Sequence, residues 1–275
     1  MSFQLLLLIS VAAGFIGAMG GMGGGIVLIP ALTFFGMDIK HAIALSLLSV
    51  IATSSGSAAA YVRDRLTNLK LGMFLEMFTM LGALTGAWLT LSIRPQALFF
   101  LLGGVLFSSA AVLWARRREE WRPADRQDAL SKWLELEGAY PEHVTGETVA
   151  YRARRSYLGG PLMFLAGVVA GLLGIGAGAL KVLIHDLVMG LPPKVSTTTS
   201  NLIIGVTALS GTSVYLANGL IDPGLAVPVI LGVVGGAFLG TRVLVRLPDR
   251  AVRMFFFCLL LLLGTEILIR GLRGA

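Results

Sequence analysis

Six apolar segments, over 41–61, 70–91, 95–115, 194–217, 223–246 and 249–271, each match the span of about 20 residues that a helix needs to cross bilayer hydrocarbon. Of the 275 residues 13% are charged and 56% hydrophobic, with a mean hydropathy of +0.83, so charges are too few to coat a soluble globule. The fold class that follows is an all-α polytopic membrane protein. A net charge of +7 raises the question of nucleic acid, but the basic residues lie between the apolar segments, where they orient the chain and meet anionic lipid. The expected surroundings are therefore the lipid bilayer of a cell membrane, with no nucleic acid as partner. Cys258 is the one cysteine and sits inside an apolar run, which excludes a disulfide framework and a thiolate metal cluster; no cofactor or metal is expected. The opening "MSFQLLLLIS" has no positive n-region and reads as a retained segment, not a removed signal peptide.

Two further apolar segments, 4–36 and 158–190, are too long for one upright helix, and glycines split each near its middle. The first contains "GAMGGMGGGIVLIP", Gly17 to Pro30. Between the halves lies a charged stretch, 116–157, with nine Lys/Arg and eight Asp/Glu. The chain thus divides into a membrane half over 1–115, an insert over 116–157 and a second membrane half over 158–275. Trp121, Leu130, Trp133 and Leu134 among the insert's balanced charges suit a short helix lying on the membrane surface.

The halves resemble each other. At an offset of 154 positions Gly36, Lys40, Ser46, Thr53, Tyr61, Gly82 and Gly86 fall on Gly190, Lys194, Ser200, Thr207, Tyr215, Gly236 and Gly240. At an offset of 153, Gly21, Gly23 and Gly25 fall on Gly174, Gly176 and Gly178. If each glycine-split segment crosses the membrane, a half has four crossings and the copies run parallel; if it dips in and returns, a half has three and the copies are inverted. The hairpin arrangement puts 17 Lys/Arg on the side of the insert and four opposite, the asymmetry that marks a cytoplasmic face. The expectation is two inverted repeats, each a glycine-tipped re-entrant helical hairpin plus three transmembrane helices, with the insert cytoplasmic.

Irregular backbone at membrane depth is tolerated only where protein or a watery cavity surrounds it. A helix that starts there presents unpaired amides and a positive dipole end, together an anion site worth about 0.3–2 kcal/mol per terminus. The candidate substrate-binding residues are accordingly Gly23, Gly24 and Gly25 at one tip and Gly176, Ala177 and Gly178 at the other. Lys181, three residues beyond, costs about 2.5–3.5 kcal/mol at such depth and needs an anionic partner: substrate, Glu76 or Asp186. Ser46, Ser200 and Asn201 add polar groups on the helix after each tip, alongside a stripe with Thr53, Ser57 and Thr207. Glu76 has Ile230 as its repeat counterpart and is the candidate proton carrier. His185 and Asp186 fall near the end of the second half-helix, where an interfacial role is expected. Tyr61 and Tyr215, at helix ends, read as belt anchors, and Gly82, Gly86, Gly236 and Gly240 as close-packing contacts.

"GGMGGGIVLIP" followed by "HAIALSL", echoed by "GIGAGALKVL" followed by "VSTTTSN", resembles the TauE/SafE family, also called the 4-toluene sulfonate uptake permeases. The resemblance covers the chain apart from the insert and implies a secondary transporter of sulfite or an organosulfonate such as sulfoacetate. The chain departs from the family pattern at Ala177, Lys181 and Leu183, where the second tip lacks its third glycine and downstream proline, and in the length of the insert. An anion channel, or a carrier for another small anion, is the alternative. An intramembrane enzyme is set aside: His185 is the only histidine near the bilayer interior, and Asp186 and Glu76 form no pair.

Overall fold

The computed structural model describes residues 3–20, 23–63, 66–115, 127–141, 148–244 and 249–273. In chain order the helices are α1 (Phe3–Gly20), α2 (Gly25–Phe34), α3 (Ile39–Arg63), α4 (Leu69–Ser92), α5 (Pro95–Ala115) and a short α6 (Ala129–Trp133). Strands β1 (Glu137–Pro141) and β2 (Thr148–Arg152) follow. Then come α7 (Ser156–Leu173), α8 (Gly178–Leu183), a π-helical turn (Ile184–Val188), α9 (Pro193–Ala217), α10 (Pro223–Leu244) and α11 (Asp249–Arg273). Helix is the form this composition dictates in lipid, since it satisfies every backbone group within the segment. Three of the spans open on a proline, Pro95, Pro193 and Pro223, where a missing N–H costs nothing. α4 instead takes its cap from Asn68, whose side chain accepts from the Leu71 amide at 3.0 Å.

Among the described residues seven helices are long and apolar enough to cross a membrane. Six are the spans read from the sequence; the seventh, α7, is the first limb of the second glycine-split segment. Trp88, Phe238 and Leu262 point outward, as the lipid-facing surface of a bundle requires.

Glycine contacts fix which helices touch. α7 runs beside α4 in the same direction: a Cβ on Gly82 would come within 2.1 Å of the Phe164 carbonyl oxygen, and one on Gly86 within 2.1 Å of that of Val168. α1 runs beside α10 in the same way, with Gly236 against Val11 (2.0 Å) and Gly240 against Phe15 (2.3 Å). These are the same contacts carried from one half to the other by the sequence offsets. So are Gly167 against Thr79 and Gly14 against Val233. The expected close-packing role of the four glycines is met, and each half supplies the neighbour for the other's glycine-split segment. α3 and α9, counterparts in the repeat, cross antiparallel: Ser54 meets Gly205, and Leu47 meets Gly211. α5 and α11 are antiparallel as well, with Gln96 at Gly271 and Trp114 at Phe257.

The insert departs from the all-helical expectation. Beyond the five-residue α6 it pairs β1 with β2 in an antiparallel hairpin, Ala139 opposite Ala150. Trp121 lies outside the described residues, Trp133 is exposed, and Leu136, Tyr140 and Tyr151 are buried against Leu71, Leu75, Met189 and Val195. Tyr140 and Tyr151, both buried, come from opposite strands of that hairpin. α7 starts at Ser156, two residues ahead of the boundary expected at 158. Asp128 joins the two parts, accepting from the Ser131 amide in α6 and from the Ser156 amide at the start of α7.

Candidate functional site at the two broken helices

Each glycine-split segment is interrupted at its glycines, between α1 and α2 in the first and between α7 and α8 in the second. At the first, Gly23 takes φ +78°, a left-handed conformation that glycine adopts without cost, and Gly24 and Gly25 then pass beside α1. A Cβ on Gly17 would strike the Gly24 amide nitrogen at 2.5 Å, so the start of α2 lies against the last turn of α1. At the second, Gly174, Gly176 and Ala177 all have positive φ. Ala177, at φ 48°, occupies the left-handed region that a glycine would hold free of strain, at a cost of about 1–2 kcal/mol. The segment then returns to its origin: the Arg154 amide, just ahead of α7, donates to the Met189 carbonyl at 3.0 Å.

The interrupted end of α7 leaves carbonyls that lipid cannot satisfy, and three hydroxyls from three helices reach them. Tyr215 of α9 donates to Gly171 at 2.8 Å, Thr90 of α4 to Leu172 at 3.0 Å, and Ser46 of α3 to Gly174 at 2.8 Å. Tyr215 is therefore no belt anchor. It is fully buried, its ring fills the core and its hydroxyl terminates the broken helix. α3 carries both tips on one stretch: Ile43 and Ser46 meet Gly174, while Ser49 and Val50 meet Gly23 to Gly25. Ser200 Oγ lies 3.5 Å from the Gly178 carbonyl, and the Asn201 carbonyl accepts from the Ser54 hydroxyl, binding α9 to α3.

One half-helix further on, Lys181 is fully buried and its ammonium donates to Thr207 Oγ1 at 2.6 Å. Thr207 Oγ1 in turn lies 3.2 Å from Glu76 Oε1 and 3.2 Å from Thr79 Oγ1. Lysine from α8, threonine from α9 and glutamate from α4 thus form one buried charge-compensated cluster, with a hydroxyl between the two ions. Of the sequence-nominated residues, Gly23, Gly24, Gly25, Ser46, Gly176, Ala177 and Gly178 gather at the tips with Ser200 beside them, and Lys181 and Glu76 meet through Thr207. Asn201 is drawn into the α3–α9 contact. The Ser57 side chain lies outside what is described. Tyr215, Thr90 and Thr79 escaped nomination, although Tyr215 and Thr207 are both repeat-matched polar residues. His185, on the π-helical turn, is buried against the first turn of α9.

A cleft of about 780 Å³ lies elsewhere, between the end of α2 and α11, lined by Phe34, Leu261, Glu266, Arg270 and Arg273 among others. There Arg270 pairs with Glu266 and donates to the Thr33 carbonyl, which ties α11 to the last turn of α2. It shares no residue with the tips.

Outside the membrane, burial pulls the Asp128 carboxyl upward, but hydrogen bonds from Ser131 and Ser156 outweigh this and hold it below its ordinary range. The exposed Glu135 carboxyl is lowered by the hydrogen bond and charge of Lys70. The Tyr151 hydroxyl is pushed up by burial, opposed by its hydrogen bond with Asn68.

The sequence profile of the Sulfite exporter TauE/SafE family matches residues 6–267. The chain belongs to this family. It is 26% identical over 283 residues to the probable membrane transporter protein YunE of Bacillus subtilis (strain 168), covering 99% of each chain. It is 28% identical over 253 residues to the probable membrane transporter protein YdhB of the same organism, covering 92% of this chain and 93% of the relative. No solved structure matches. As a TauE/SafE member, the chain is a multi-pass membrane transporter.

Proposed function

We propose that this TauE/SafE protein is a secondary transporter of a small sulfur-containing oxyanion, sulfite or an organosulfonate such as sulfoacetate. In this reading it works by proton-coupled alternating access in the cell membrane, with the insert cytoplasmic. The reading rests on one observation above the rest: two interrupted helices meet tip to tip in the interior, a Gly25 Cβ standing 2.5 Å from the Gly174 carbonyl oxygen, with the buried Lys181 beyond the second tip. Helix starts and an ammonium together suit an oxyanion that has shed its water. Gly23, Gly24, Gly25, Ser46, Gly176, Ala177, Gly178, Lys181, Ser200 and Asn201 are the proposed substrate-binding set.

Two inverted repeats are supported by the reciprocal glycine contacts and by the antiparallel crossing of α3 and α9, since counterpart helices of opposite direction imply an axis in the membrane plane. Re-entrant hairpins are supported by the return of the second segment to Arg154 and by the doubling back of the first at Gly24. Glu76 is the proposed proton carrier, because its carboxylate compensates Lys181 through Thr207, so its protonation alters the charge seen by the anion.

The deciding experiment measures binding of sulfite, sulfate, sulfoacetate, taurine and chloride to the purified protein, for the wild type and for Lys181→Ala. A sulfur oxyanion bound by the wild type and weakened at least tenfold in the variant supports the site; unchanged binding removes Lys181 from it. Flux into proteoliposomes with and without a pH gradient separates a carrier from a channel. Saturable, gradient-driven uptake belongs to the first; conductance that ignores the proton gradient belongs to the second.

A further inference from the structure

His185 stands on the π-helical turn, one turn beyond Lys181, and is fully enclosed. Its Nδ1 lies 3.2 Å from the Ser196 carbonyl oxygen in the first turn of α9. A carbonyl can only accept, so the ring proton sits on Nδ1, and the neutral ring keeps its lone pair on Nε2. That nitrogen is buried without a hydrogen-bond partner, and so is the hydroxyl of Ser196 beside it. Buried polar atoms are nearly always paired, so two orphans on touching residues call for an explanation. The wide turn reinforces this, since single π turns inside α-helices concentrate at functional sites; here it is closed by the Met189 amide on the Ile184 carbonyl at 3.0 Å.

The charged groups around the ring come from each neighbouring element. Lys181 and Asp186 share its half-helix, and Glu76 of α4 is tied to Lys181 through Thr207. Arg154 precedes α7 and packs on Gly190; Lys194 of α9 is exposed. Lys181 and Glu76 compensate each other, so a proton on His185 adds one positive charge beside the second tip.

We infer that His185 is a second proton-binding residue of the transporter, taking its proton at Nε2 and so linking protonation to anion occupancy at the tips. An N–H bond forms at Nε2 as an O–H bond of a hydronium ion breaks, and the reverse occurs on release. Nδ1–H stays on the Ser196 carbonyl throughout, so the ring stores a proton without passing it across. The inference rests on the proton-coupled reading and adds a second titrating group to it, beside the Lys181–Glu76 cluster. Linkage makes the effect reciprocal, so bound anion tightens the hold on the proton and protonation tightens the hold on the anion.

The test is proton uptake on binding of sulfoacetate, an anion fully ionised near neutral pH, measured by calorimetry of the full-length protein in buffers of differing ionisation enthalpy. The wild type is expected to take up a fraction of a proton per anion and to lose affinity as pH rises. His185→Gln is expected to lose at least half of that uptake and to flatten the pH dependence. Wild-type uptake retained in the variant, or no uptake in the wild type despite binding, overturns the inference while leaving the anion site standing. No binding by the wild type of sulfoacetate or any other anion of the panel overturns the transport reading, and this inference with it. If His185→Gln does not fold, nitrogen NMR of labelled histidine in a His41→Gln, His143→Gln background reads the Nε2 atom of His185 alone. A shift toward the protonated ring on adding sulfoacetate supports the inference, and an unmoved resonance refutes it.

Discussion

Gly25, the first residue of α2, faces the carbonyl of Gly174 at the end of α7 so closely that a Cβ on Gly25 would stand 2.5 Å from that oxygen. The two tips thus touch through backbone, and neither neighbour can rotate away as a side chain would. Gly25→Ala is expected to force the tips apart, at about 1–3 kcal/mol of overpacking. A thermal unfolding midpoint in detergent lowered by several degrees, together with weaker anion binding, is the expected result. Wild-type binding and stability would mean that the tips move freely past one another.

The buried Lys181–Thr207–Glu76 cluster makes a different prediction, because its ions are tolerable only together. Lys181→Met or Glu76→Gln alone leaves one charge buried and uncompensated, and each should cost about 3–5 kcal/mol. The double substitution removes both charges, so its loss should be smaller than the sum of the singles by about 2 kcal/mol or more. A double-mutant cycle on chemical unfolding in micelles reads this directly. Additive losses would show that the ammonium and the carboxylate do not sense each other through Thr207.

Tyr215→Phe keeps the ring in the core and removes only the donor to Gly171, leaving a broken-helix carbonyl short of its partner. A loss of about 1–3 kcal/mol is expected, and Thr90→Val should behave alike through Leu172. Thr90→Ser, which retains a hydroxyl, is the control that should stay near wild type. Equal stability of Tyr215→Phe and wild type would mean that the end of α7 is satisfied in some other way.

Periodicity and length were enough to read the six spans and the glycine splits, because lipid leaves a chain few choices. The repeat offsets went further: the contact of Gly82 with Phe164 has its counterpart in Gly236 with Val11, so self-comparison of the sequence carried three-dimensional information. What escaped was set by partners far along the chain. Tyr215 lies at the end of its helix, where tyrosine commonly meets headgroups, and only the break in α7 draws it inward. The burial of His185 was not legible either, because the π turn that encloses it has no signature in composition. The insert's hairpin was hidden for a similar reason. Tyr140 and Tyr151 are spaced irregularly among charges, and their burial depends on the Asn68 loop and on Met189, which the fold brings beneath them.

Asp128 ties that insert to the membrane half through one carboxylate, and its effect depends on pH. Its Oδ1 accepts from the Ser131 hydroxyl at 2.5 Å, and the Ser156 hydroxyl, 2.5 Å from that of Ser131, completes a chain linking the starts of α6 and α7. The folded carboxyl titrates below its ordinary value, so the unfolded state binds the proton more readily. The contribution is therefore fully present above the unfolded value, about 3.9, and disappears as pH falls through the lower folded value. Asp128→Asn keeps a capping oxygen but no charge, and should abolish this acid-dependent step; Asp128→Ala should also lose the cap, at about 1 kcal/mol. Hydrogen exchange of the β1–β2 amides between pH 3 and 7 provides the measurement. Faster exchange at low pH in the wild type, with little acid dependence beyond the intrinsic chemistry in Asp128→Asn, is the expected pattern. Identical profiles for the two proteins would show that the insert is held in place without this carboxylate.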